Sequence, residues 1–173
     1  MARRGFRRSS GTLRLRLQAW EFEVLDNLFR QSERLLGPPA AEDPHDPLAA
    51  AVGIAPVAER PSDPALVRLL PDAYPDDPGA ADDFRRFTES DLRRQKAGNA
   101  ALARDSLSRV ADQTLILGEA EGQAWLLALT DLRLVLAVRL GIAESDSDQV
   151  HGPTEVYDWL TWLQSTLVDA LMP

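Results

Sequence analysis

Cysteine does not occur in the 173 residues. Its absence excludes disulfides, thiolate nucleophiles, cysteine-ligated zinc and thiol-based redox sensing. Histidine is scarce, with only His45 and His151, which leaves little room for a histidine-rich metal site or a catalytic dyad. Glycine never recurs as Gly-x-Gly, and Gly118 and Gly122 stand isolated, so no glycine-rich phosphate loop is written here. A long uninterrupted apolar run is missing too. The most apolar stretch, 125–142, is broken by Asp131, Arg133 and Arg139, which a membrane-spanning helix tolerates poorly. The opening MARRGFRRSS leads into no apolar region of the kind a secretory signal needs. A cytoplasmic protein with no membrane partner is expected.

What is present is an ordinary globular composition, 45% apolar, with a very uneven charge. Against a net charge of -8, residues 1–17 carry six arginines and no acid, which leaves -14 on the rest. The length suits one domain and is too short for two full-sized ones. We read 1–173 as a single domain, mainly α, a helical bundle with a small N-terminal β-hairpin.

The hairpin falls in 1–17. Leu13, Leu15 and Leu17 alternate with Arg14 and Arg16, the period-2 pattern of a half-buried strand, after a turn-like Ser9-Ser10-Gly11. Residues 18–37 follow as a helix stopped by Gly37-Pro38-Pro39. Segment 38–79 is rich in proline and aspartate and holds ten of the twelve prolines. Asp63-Pro64 reads as an N-cap and first helical position, predicting a two-turn helix over 64–70. Leu66, Val67, Leu69, Leu70 and Tyr74 give this segment something to bury, so it should wrap the core. Residues 80–173 form the helical core, with helices over 80–110, 119–140 and 154–171. Thr114 to Leu117 is a short β-type run that could add a third strand.

Clusters with chemical potential are few. Glu42-Asp43-Pro44-His45-Asp46 gathers carboxylates around an imidazole, but a proline-rich loop gives no fixed geometry for a cation. His151 has neither a nucleophile nor an acid pair beside it. No catalytic, cofactor or metal residue is therefore assigned, and a non-enzymatic protein is expected. Arg4, Arg7, Arg8, Arg14 and Arg16 would form a basic edge, an electrostatic footprint for phosphates, or a row whose partners are this protein's own carboxylates or another protein's acidic face. The acidic remainder of the chain would repel a polyanion, which favours carboxylates of this chain or of a partner protein over nucleic acid.

Asp131 and Arg133 lie inside the most apolar helix and point about 200° apart, so they cannot pair along one face. Arg133 is expected in a structural ion pair, with Asp83, Glu89 and Asp91 as candidates. In the last helix Trp159 and Trp162 flank the leucine seam, with Tyr157 nearby. They either complete the core or form a surface for a protein partner or a homodimer.

Three stretches in order carry a resemblance. They are Asp63-Pro64-Ala65-Leu66 through Leu70-Pro71-Asp72-Ala73-Tyr74; Asp83-Phe84-Arg85-Arg86-Phe87-Thr88-Glu89 with Leu92-Arg93 and Lys96; and Trp125 with Leu129-Thr130-Asp131-Leu132-Arg133-Leu134. Tyr157-Asp158-Trp159-Leu160 ends the match. Together they resemble an actinobacterial family first described as a domain of unknown function and known for the oxidative-stress transcriptional regulator AosR. Eighteen arginines against one lysine point to a GC-rich genome and suit that source.

The resemblance implies a cytoplasmic regulator working by protein–protein contact with a transcription component such as a sigma factor. Two alternatives stand beside it: a DNA-binding regulator using the arginine hairpin, from the basic edge itself, and an adaptor linked to Clp proteolysis, from the family's gene neighbourhood. This chain departs from the attractive mechanism of a cysteine-pair switch. Met1 and Met172 are poor substitutes on the sulfur oxidation ladder.

Overall fold

The computed structural model describes residues 5–37, 60–142 and 154–172. Strands β1 (Arg7–Ser9) and β2 (Thr12–Arg16) form the expected hairpin. Its turn has Ser10 at φ 51° and Gly11 at φ 77°, the left-handed pair that matches the strands' twist. Helix α1 (Ala19–Leu35) follows at once, then α2 (Pro64–Leu69), the 30-residue α3 (Pro78–Leu107), β3 (Thr114–Leu117), α4 (Glu119–Arg139) and α5 (Glu155–Leu171). The protein is mainly helical, with β3 completing a three-stranded antiparallel sheet in the order β1-β2-β3.

The caps explain where the helices begin. Asp63 accepts from the Ala65 amide at 2.8 Å ahead of Pro64, as its Asp-Pro pair predicts. The same device recurs at Asp77-Pro78, where Asp77 accepts from the Ala80 amide. It starts α3 two residues before the expected position. Both strand-to-helix junctions use a glutamate three residues into the helix. Glu21 accepts from the Gln18 amide at 2.8 Å, and Glu121 from the Gly118 amide at 2.9 Å. Helix α3 ends at Leu107, short of residue 110. A second tight turn, with Asp112 at φ 48° and Gln113 at φ 61°, reverses the chain into β3.

The core sits between the inner face of the sheet and helices α1, α4 and α5. Leu13, Leu15, Leu115 and Leu117 point into it and meet Leu25, Phe29, Leu129, Leu160, Leu163 and Leu167. Trp125 lies at the centre, fully buried, with Phe6 and Phe29 edge-on at 5.6 and 5.2 Å. Its indole N–H donates to Ser106 Oγ at 2.8 Å, which satisfies the one polar atom this ring brings inside. Gly122 lets α4 approach the sheet closely: a Cβ there would lie 2.2 Å from Leu13 Cδ1.

A second cluster joins α2 to the body through Leu36, Leu69 and Leu70, with Leu66, Leu92 and Leu134 against them. Of segment 38–79, residues 60–79 are described, and α2 buries Ala65 and Leu69. Residues 38–59 lie outside the described residues. Tyr74 departs from the expectation, since it is half exposed and its ring meets Phe84 edge-on at 6.0 Å. The Asp-Pro helix packs its leucines before the chain reaches Tyr74.

Candidate functional site

The alternating strand sets the first surface. With the leucines turned inward, Arg14 and Arg16 face outward and are exposed. The register places Arg7 opposite Arg14, and Arg14 opposite Ile116. One row across the sheet therefore reads Arg7, Arg14, Ile116, and the next brings Arg16 beside Thr114. Ile116 is 47% exposed. Among the described residues, none of Arg7, Arg14 and Arg16 meets a carboxylate. Arg8 differs from them. It turns to the end of α5, where Nε donates to the Ala170 carbonyl at 3.1 Å and the guanidinium lies 3.9 Å from Glu119. Arg4, His45 with its acidic neighbours, and His151 lie outside the described residues.

Of the aromatic residues of the last helix, the structure places Trp159 in the core. Trp159 is 2% exposed and lies 5.5 Å from the tilted ring of Trp20, so it is a core residue. Trp162 is half-buried against the same core. Tyr157 is turned toward α4. The tryptophan partner surface is therefore corrected for Trp159: the ring lies on the leucine seam and the core closes over it. The exposed aromatic rings are Trp20, at 46% the outer partner of Trp159, and, away from this helix, Tyr74, Phe84 and Phe87 at 50%, 46% and 59% exposure. Phe84 and Phe87, spaced i, i+3 among charges, were the available signal for this patch.

Arg133 also departs from expectation. Its Nε donates to Thr161 Oγ1 at 3.0 Å, one terminal nitrogen to Gln164 Oε1 at 2.6 Å and the other to Tyr157 OH at 3.4 Å. The guanidinium lies 5.4 Å over the Tyr157 ring. No ion pair forms with the three named acids: Arg133 turns to α5, and those acids, on α3, meet other arginines. Glu89 binds Arg85 and Arg93, Asp91 binds Arg94, and Asp83 faces Arg86. Thr130 closes the network by accepting from Gln164 Nε2 at 2.8 Å. The helical spacing of Tyr157, Thr161 and Gln164 opposite Thr130 and Arg133 was the signal for it.

The buried acid of the apolar helix has its own partner. Asp131 accepts from Lys96 Nζ at 2.6 Å. Burial pushes its carboxyl above the usual range, and the neighbouring ammonium opposes that shift. Asp63 and Glu121 move the other way. Asp63 is held low first by its hydrogen bond from Arg139 at 2.7 Å, and Glu121 first by the Gly118 amide and then by Arg109. Among the described residues no group of histidine and carboxylate side chains could hold a metal ion, and no helix is long and apolar enough to cross a membrane.

The comparisons with known proteins cover nearly the whole chain. The family model DUF2017, a domain of unknown function, matches residues 3–171. A Mycobacterium leprae protein carrying the AosR name is 37% identical over 172 residues, spanning 88% of this chain and 79% of that protein. The oxidative stress regulators AosR of Mycobacterium bovis and Mycobacterium tuberculosis are each 35% identical over 184 residues, spanning 95% of this chain and 84% of theirs. No solved structure matches. The chain belongs to the DUF2017 family, of which the AosR proteins are relatives.

Proposed function

We propose that this protein is a non-enzymatic regulator that docks the acidic face of a partner protein on the outer face of its sheet. The observation that carries this reading is the row Arg7, Arg14, Ile116 with Arg16 beside it. Like charges directly across a strand pair repel, and here no described carboxylate relieves them. An acidic partner would supply the missing counter-charge, and Ile116 offers an apolar contact at the end of the row. The acidic remainder of the chain disfavours a polyanion such as DNA, whose charge extends beyond the sheet.

The relatives' name supports a regulatory role. The partner class that fits is a transcription component such as a sigma factor, and the site of action is the cytoplasm. With no cysteine in these residues, a response to oxidants would not pass through a thiol of this chain.

The test mixes the full chain with the purified sigma factors of its native organism and, separately, with promoter DNA at two salt concentrations. A complex with a sigma factor that is lost in the triple variant Arg7→Gln, Arg14→Gln, Arg16→Gln supports the reading. DNA binding at low salt that disappears in the same variant overturns it in favour of a DNA-binding regulator.

A further inference from the structure

We propose that the cavity between α4 and α5 binds a small organic anion, a carboxylate or phosphate monoester on a compact apolar body. This goes beyond the docking role and does not depend on it. The cavity has a volume of about 600 Å³ and is lined by Arg133, Thr130, Leu134, Val138 and Tyr157, with the exposed Arg68 of α2 at its mouth. Its size falls within the common range for small-molecule sites, which pair apolar walls with a few placed polar groups. Here the walls are Leu134, Ala137, Val138 and Ile142, and the polar groups converge on Arg133.

The arrangement of Arg133 gives the ligand its charge. A guanidinium has five N–H donors in a rigid fork. Three are used, on Thr161, Gln164 and Tyr157, all of them neutral. Among the described residues no carboxylate meets this half-buried cation, and two donors are left over. Its neighbours are themselves tied down. Thr161 Oγ1 donates to the Tyr157 carbonyl at 2.9 Å, Gln164 to Thr130, and Thr130 to the Leu126 carbonyl at 2.8 Å. The fork is therefore held in place before any ligand arrives, which reduces the ordering cost of binding. A carboxylate or phosphate matches the remaining donors, and the Tyr157 hydroxyl stands beside them. The aliphatic walls take the apolar body.

The experiment titrates the full chain with benzoate, phenyl phosphate and the neutral benzyl alcohol, read by calorimetry and by the Arg133 Nε–H resonance in NMR. Saturable binding of benzoate or phenyl phosphate that shifts this resonance supports the site. Their relative affinities separate carboxylate from phosphate recognition. Arg133→Gln should weaken binding about tenfold or more. Ala137→Phe, which fills the cavity from its apolar wall and leaves Arg133, Thr161, Gln164 and Tyr157 in the chain, should abolish it. That variant keeps the test decisive if Arg133→Gln unfolds, while Arg14→Gln on the sheet should bind as the parent does. The proposal is overturned if neither anion saturates, if benzyl alcohol binds as tightly, or if Ala137→Phe binds undiminished. None of these outcomes bears on the sigma-factor assay.

Discussion

Lys96 Nζ lies 2.6 Å from Asp131 Oδ1, joining the only lysine of the chain to the carboxylate buried in its most apolar helix. The pair links α3 to α4, and only Lys96 keeps appreciable contact with water, its side chain 20% exposed against 5% for Asp131. Removing one member of such a pair strands the other charge in a low-dielectric site. Lys96→Met should therefore cost about 3–5 kcal/mol. The double change Lys96→Met, Asp131→Leu should recover most of that loss, because no charge then remains buried. A double-mutant cycle by urea unfolding measures both, and a double variant as unstable as Lys96→Met would refute the account.

The same carboxylate gives stability an opposite pH signature from its neighbours. The folded-state pKa of Asp131 is raised, so the folded state holds its proton more readily than the unfolded chain. The parent should gain stability relative to Asp131→Asn as pH falls through that raised pKa. Asp63 and Glu121 have lowered folded-state values, so their contributions are present at neutral pH and fade as pH falls through the carboxylate range. Asp63→Asn keeps an N-capping side chain but loses the Arg139 charge pairing, so its deficit should shrink in acid. Denaturation from pH 7 down to about pH 3 distinguishes the two slopes.

Much of this architecture was legible because short-range chemistry dictates it. The leucine–arginine alternation of residues 13–17 placed the hairpin and its two faces, and the Thr114–Leu117 run supplied the third strand. Asp63-Pro64 marked its helix, and the same signal at Asp77-Pro78 would have located the start of α3. Pairings across elements were not legible. Helical spacing set Arg133 on a face of α4 but could not show that Glu89 was already engaged by Arg85 and Arg93. Nor could it show that Thr161 and Gln164 would stand opposite. Trp159 and Trp162 lie about 60° apart around their helix. Where the core boundary falls between them depends on the packing of α1, which brings Trp20 over Trp159.

That boundary makes the two tryptophans unequal. Trp159 is buried in the main core, whereas Trp162 packs against it from a half-buried position. Trp159→Ala should cost about 3–5 kcal/mol, the usual loss for truncating a buried aromatic residue. Trp162→Ala should cost clearly less. Thermal unfolding of the single variants provides the comparison, and equal losses would show that both rings belong to the core to the same degree.

Gly122 offers the sharpest steric test of the sheet–helix contact. In an open helix interior, Gly→Ala gains about 1 kcal/mol from helix propensity alone. At this position the added methyl would sit 2.2 Å from Leu13 Cδ1, inside any tolerable contact, so either the leucine must change rotamer or α4 must move off the sheet. Leu13 is itself 1% exposed and faces Leu117 across the β2–β3 pair, so it has little room to yield. Overpacking of this kind costs about 1–3 kcal/mol and should outweigh the propensity gain. Gly122→Ala is expected to destabilise the protein in chemical denaturation. Shortening the opposing side chain with Leu13→Ala in the same molecule should make the glycine substitution neutral or favourable. If Gly122→Ala alone raises stability, the close approach of α4 to β2 is not the constraint described here.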